Sequence, residues 1–185
     1  NFSVSGSLSV NVHGRYVGAT PVIGSVKSFR LVLANGQIIT ASPTENPALF
    51  YGAIGGYGGL GVISEVTLQL TDNTRLKRFD RTMPLSSYKA YFLNTVARDA
   101  TAVFHNATIY PDDYTTVRAI TFNATQEPAT INKRLQAKDA DHDTQQWLLH
   151  MVASSKLGKH LRQRVIDPLR YRGNPIVWRN CPLTR

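Results

Sequence analysis

Six glycines fall within the ten residues that open GAIGGYGGLGVISEVTLQL, at Gly52, Gly55, Gly56, Gly58, Gly59 and Gly61, and an apolar, β-branched run follows them to Leu70. So many positions without a Cβ mark backbone brought close to another segment or to a ligand. Gly56, Gly58 and Gly61 also spell G-x-G-x-x-G, with Asp80 at roughly the distance of a ribose-binding acid. That motif binds a dinucleotide only where a strand precedes the glycines and a helix follows, so that the pyrophosphate rests on a helix N-terminus. Here a short helix over Pro47–Ile54 comes first and a strand over Val62–Leu70 comes after. Rossmann-type binding is therefore set aside, and the glycines need another explanation.

The net charge is +9 and is unevenly spread. Residues 1–70 carry Arg15, Lys27 and Arg30 against Glu45 and Glu65, whereas the excess sits at 75–81 and 156–185. Such a basic face could attract nucleic acid or an anionic membrane. No zinc module, KH-type loop or aromatic-basic interleaving accompanies the charge, so no nucleic-acid partner is expected. No apolar run is long enough for a transmembrane segment. The single cysteine, Cys181, excludes a disulfide scaffold and a cysteine-based structural metal site. Asp139, Asp141, His142 and Asp143 do not repeat at a useful helical spacing, and no metal site is expected.

Along the chain, Leu8, Val10 and Val12 alternate with Ser7, Ser9 and Asn11, which predicts a half-buried strand ending at His13-Gly14-Arg15. Ser25–Ala41 reads as a hairpin: Phe29, Leu31 and Leu33 share a face, Asn35-Gly36 turns, and Ile38-Ile39 returns. Asn46 and Pro47 suit the N-cap and first turn of the short helix. Val62, Val66, Leu68 and Leu70 are expected to alternate along the strand after the glycines. Beyond a boundary at 76, Tyr88, Tyr91, Phe92, Thr95 and Val96 form the core-facing stripe of a helix over 85–98. Two antiparallel strands, 101–110 and 114–122, meet at Pro111-Asp112-Asp113. Residues 123–144 read as a polar excursion. A last helix is expected over 144–166, with Trp147, Leu148, Met151, Val152, Leu161 and Val165 inward, ended by Asp167-Pro168. The fold class is α+β.

Three pieces of text, GSLSVNVHGR at 6–15, VKSFRLVLANGQIITASPTENPALFYGAIGG at 26–56 and GYGGLGVISEVTLQL at 56–70, resemble the FAD-linked oxidases of the vanillyl-alcohol-oxidase/PCMH superfamily. The nearest branch is that of the sugar and polyol oxidases, with the sugar-lactone and decaprenylphosphoryl-ribose oxidases. Ser5 stands where the family has a second glycine. The resemblance implies that residues 1–76 are the second half of a PCMH-type FAD-binding domain and that 77–185 are part of an α+β substrate or cap domain. It implies an internal fragment, whose first flavin subdomain would be a missing partner. In such enzymes FAD lies extended and is held largely by backbone amides. Carried over, Gly6 and Ser7 would approach the pyrophosphate or flavin, and Asn11, His13 and Gly14 the isoalloxazine or ribityl part. Gly56, Gly58, Gly61, Val62 and Ile63 would line the adenosine diphosphate part. His13 and Arg15 are the candidate catalytic residues. His13 would line the flavin or substrate; Arg15 would place positive charge near the reduced ring or on a substrate oxygen. Without the resemblance, His13 reads first as a histidine bonded to a loop carbonyl, and Arg15 equally as a solvated surface cation. The implied reaction oxidises a CH–OH group of a sugar, sugar lactone or polyol with hydride transfer to flavin N5. A catalytically silent piece of a flavoprotein, or a non-flavin domain whose glycines only pack, stands as the alternative.

Overall fold

The computed structural model describes residues 3–134, 147, 150 and 155–181. It is a mixture of helices and antiparallel sheet, and the backbone divides into two compact units, residues 1–14 with 18–72 and residues 15–17 with 73–185.

The first unit contains α1 (Val4–Ser9), a 3-10 turn (Val22–Ser25), β1 (Val26–Val32), β2 (Ile38–Ala41), α2 (Pro47–Ala53) and β3 (Val62–Leu68). Its three-stranded antiparallel sheet has the order β2-β1-β3. The expected hairpin forms: Gly36 adopts φ +81, and the Gln37 N–H donates to Asn35 Oδ1 at 3.0 Å. Leu8, Phe29, Leu31, Phe50, Ala53, Ile54 and Ile63 make one apolar core. Phe29 and Phe50 stack within it at 5.5 Å, tying β1 to α2. Pro47 occupies the first turn of α2. Asn46 precedes it in the left-handed region (φ 50) and makes no side-chain cap; its amide instead donates to the Thr40 carbonyl at 2.9 Å.

Two expectations fail here for identifiable reasons. The N-terminal stretch is a helix, not a strand. Ser3 caps it by accepting from the Gly6 N–H at 3.0 Å, and Ser7 Oγ donates back to the Ser3 carbonyl at 3.0 Å. Serine hydroxyls thus supply the local bonds that an alternation count ignores. Only Leu8 of the alternating set enters the core, while Val10 and Val12 are exposed. On β3, the inward residues are Ile63, Val66 and Leu68, with Val62 and Leu70 exposed. The cause is a bulge: Arg30 pairs with Glu65 but Leu31 with Ile63, so Ser64 is the extra residue and the period shifts by one.

The second unit contains β4 (Arg75–Pro84), α3 (Leu85–Tyr91) continued by a π-helical turn (Phe92–Val96), β5 (Ala102–Ile109) and β6 (Thr116–Ala124). Then come α4 (Lys156–Leu161), a π-helical turn (Arg162–Ile166), α5 (Asp167–Arg170) and β7 (Ile176–Trp178). The sheet order is β5-β6-β4-β7, all antiparallel. Residues 15–17 join this unit through a Tyr16–Phe104 bridge, the Val17 N–H to the Val103 carbonyl at 3.0 Å and the His105 N–H to the Arg15 carbonyl at 2.8 Å. The inner strand β6 is buried continuously from Val117 to Phe122. Charge enters that core as a pair: Arg118 Nη1 donates to Asp80 Oδ2 at 2.6 Å and Arg118 Nε to Tyr110 Oη at 2.8 Å.

The last helix departs from expectation as well. Pro168 does not end it, because proline is tolerated in a first helical turn and α5 begins at Asp167. Leu161 and Val165 face solvent instead of the core, and Trp147 is exposed. Leu148, Met151, Val152 and the acidic cluster at 139–143 lie outside the described residues.

Candidate functional site

In the first unit, the C-terminal end of α1 and the glycine-rich loop are bonded backbone to backbone. The Gly55 N–H donates to the Leu8 carbonyl at 2.9 Å and the Tyr57 N–H to the Ser9 carbonyl at 3.0 Å. Ser5 Oγ reaches the Ile63 carbonyl at 3.2 Å. The backbone of Asn11 is in the left-handed region (φ 47), and its Oδ1 accepts from the Ile23 N–H at 3.3 Å. Helix α1 and a loop about fifty residues later in the chain are thereby neighbours.

The individual glycines do different things. Gly61 (φ +148) lies so close to β1 that a Cβ would stand 2.3 Å from the Val32 carbonyl oxygen, and one on Gly56 would stand 2.2 Å from the Gly52 oxygen. Both are required by packing within the chain. The Gly6, Ser7, Gly56 and Gly61 amides are engaged internally, with Ser3 Oγ and the carbonyls of Ser3, Ala53 and Gly58 respectively. Gly58 differs: nothing stands within 4 Å of the position its Cβ would take. Its close chain neighbours Tyr57 and Leu60 are exposed, as are Val62, Val10 and Val12. Of the sequence-predicted positions, Gly58 and Val62 thus have open, exposed surroundings, whereas the Gly6, Ser7, Gly56 and Gly61 amides are already taken by the chain itself. His13 and Gly14 are exposed at the end of the first unit.

Arg15 belongs to the second unit and is half-buried, its guanidinium 5.5 Å from the centre of the Phe104 ring. Burial pulls its pKa below the ordinary arginine value. It lines a cavity of about 250 Å³ together with Arg78, Arg170, Asn106 and Tyr171, above an apolar floor that includes Ile120, Phe122 and Val177. Tyr171 organises this wall, since Arg78 lies 5.1 Å and Arg118 5.0 Å from its ring centre. Arg78 also donates to the Gly173 carbonyl at 3.4 Å. Cys181 is buried at the cavity.

Sequence reasoning did not find this cavity, because its wall is assembled from residue 15, β4, α5 and the loop before β7. It also missed His105, whose ring bonds Tyr88 Oη at 3.0 Å and Thr121 Oγ1 at 2.9 Å inside the sheet. Burial holds the His105 imidazole below its ordinary pKa, and burial is also the main reason the Tyr88 hydroxyl is raised. The available signal was an apolar run, Ala102–Phe104, leading into histidine. Among the described residues, no group of three or more His, Cys, Asp or Glu side chains is placed to hold a metal ion.

No family model matches the chain. It is 38% identical over 69 residues to cytokinin dehydrogenase 5 of Oryza sativa subsp. japonica, covering 37% of this chain and 13% of that protein. It is 37% identical over 67 residues to D-arabinono-1,4-lactone oxidase of Yarrowia lipolytica, covering 36% and 13%. With the FAD-linked oxidoreductase tazL of Aspergillus terreus the identity is 36% over 78 residues, covering 37% and 16%. The chain therefore spans between 12% and 16% of the length of the curated relatives it matches. Its homologues over these partial stretches are oxidases, dehydrogenases and FAD-linked oxidoreductases.

Proposed function

We propose that this chain is part of an FAD-dependent oxidoreductase of the vanillyl-alcohol-oxidase/PCMH superfamily, acting on a CH–OH group of a sugar, sugar lactone or polyol. The observation that carries the proposal is the backbone bonding of the glycine-rich loop to the end of α1, from which the 11–14 segment leads on. A Cβ on Gly55 would stand 3.3 Å from Asn11, so the start of the 11–14 segment lies beside the loop, and Val12, His13, Gly14, Tyr57, Gly58 and Val62 are exposed. The homology to a lactone oxidase and an FAD-linked oxidoreductase supports it.

On this reading Gly58, Tyr57 and Val62 flank the diphosphate and adenosine portion, and Asn11, His13 and Gly14 lie toward the ring. When bound, FAD would supply the acceptor for the hydride, and with it the two electrons, that leaves the substrate carbon. His13 takes the hydroxyl proton, so that the C–O bond becomes a carbonyl as the C–H bond breaks. Arg15, 5.5 Å from the centre of the Phe104 ring, would bind a negatively polarised oxygen in the second unit's cavity that it lines.

A second reading has its own observation: the approaches of Gly56 to Gly52 and of Gly61 to Val32 account for two loop glycines without any ligand. Titration of the purified chain with FAD, followed by reduction of the bound flavin with sugar lactones and polyols, separates the two. The flavin reading expects saturable binding and a His13→Ala variant that reduces flavin at least about tenfold more slowly. Absence of binding supports the packing reading.

A further inference from the structure

The helical segment Lys156–Arg170 is inside out. Its buried residues are polar, Gln163 and Asp167, while Leu157, Leu161, Val165 and Leu169 are between 45% and 78% exposed. An α-helix normally turns such residues the other way. The four apolar positions recur at every fourth residue. In a plain α-helix each four-residue step overshoots a full turn by about 40°; the π turn at Arg162–Ile166 takes more residues per turn and keeps the row together as a stripe.

Polar bonds hold the segment in this orientation. His160 Nδ1 meets Asp112 Oδ2 at 2.9 Å and Gln163 Nε2 donates to Asp113 Oδ2 at 3.4 Å, while Arg162 Nε lies 3.5 Å from Asp167 Oδ2 within the segment itself. The turn between β5 and β6 therefore anchors the polar side and leaves the leucine side outward. Between residues 155 and 172 the cations are Lys156, Lys159, Arg162, Arg164, Arg170 and Arg172, and the one acid, Asp167, is buried against Arg162. An exposed aliphatic stripe inside a strongly cationic segment is the composition of a helix that lies in the surface plane of an anionic bilayer. Among the described residues no helix is long and apolar enough to cross a membrane, so the contact would be interfacial.

We propose that the Leu157–Leu161–Val165–Leu169 stripe seats on an anionic lipid surface, with the exposed Lys156, Arg164 and Arg172 at the headgroups. Charge complementarity selects this occupant over a second copy of the chain, whose corresponding segment would carry the same positive charge.

The test is cosedimentation of the 185-residue chain with vesicles of phosphatidylcholine alone and of an equimolar mixture with phosphatidylserine. The expected result is binding to the mixed vesicles that weakens with added salt and falls at least about tenfold in a Leu157→Ser/Leu169→Ser variant. Both leucines are exposed, so circular dichroism should show that variant folded like the parent. Arg164→Gln should weaken binding more modestly and leave the apolar contribution intact. Failure to bind the mixed vesicles overturns the proposal. So does equal binding by the leucine variant, which would leave charge alone as the attraction. Self-association that the leucine variant abolishes, without vesicle binding, would assign the stripe to a second copy and also overturn it.

Discussion

The two units are built on opposite plans. The first has an aliphatic and aromatic core with no charged member, and its candidate site is made of backbone: an open glycine, a left-handed asparagine and paired carbonyls and amides. The second carries charge and polarity through the middle of its sheet, in Arg118, Asp80, His105 and Thr121, and its cavity is lined by side chains. A backbone site survives many substitutions but fails where a Cβ intrudes. A side-chain network fails where a partner is removed. The units should therefore respond to different mutations and to different solution conditions.

The largest expected effect lies in the second unit. Asp80→Leu leaves Arg118 buried without its carboxylate and should cost about 3–5 kcal/mol, whereas adding Arg118→Met should recover most of the loss. Urea unfolding followed by Trp178 fluorescence, with Trp147 replaced by phenylalanine, measures both. If the double variant is as unstable as the single one, the pair is not what distinguishes this unit.

In the first unit the sharper probe is a pair of glycines. Gly61→Ala combines an unfavourable φ with a Cβ driven against the Val32 carbonyl, and should cost about 3 kcal/mol. Gly36→Ala, also at positive φ but with nothing near its Cβ, should cost only about 1 kcal/mol. Hydrogen exchange of the β1 and β3 amides reads the difference; equal losses would mean that conformation alone, and not close approach, fixes Gly61.

A smaller effect separates the units by pH. His105 is buried with its pKa held below the ordinary 6.5, so the unfolded chain binds the proton more readily than the folded one. Its contribution to stability is complete above that ordinary value and is lost as pH falls through the lower folded value. Acid titration of stability should show this in the second unit and not in a His105→Gln variant. Further down, Asp113, held at about 2 chiefly by the Thr115 N–H, should add a second loss as pH falls below about 4.

Local signals were legible in the sequence, and non-local assembly was not. The Asn35-Gly36 turn, the Pro47 helix start and the close approach of Gly56 to Gly52 all express their physics within a few residues. α1 was misread because serine caps outweighed a hydrophobic alternation of which only Leu8 is buried. β3 was shifted by one bulged residue, Ser64. The last helix was inverted because its orientation is set by Asp112 and Asp113, about fifty residues earlier. For the same reason the glycine-rich side of the candidate site could be read as close backbone approach. The Arg15–Arg78–Arg170–Tyr171 cavity could not, since no short window contains it.

The central claim is that Asn11–Gly14 and Gly55–Ile63 together receive a flavin dinucleotide. Hydrogen exchange of the chain with and without saturating FAD tests it most directly. The account predicts binding with slowed exchange concentrated at Val12–Gly14 and Gly58–Val62 and little change in the β5–β6 hairpin. FAD that fails to bind, or that binds and protects other residues while leaving these unchanged, would contradict it.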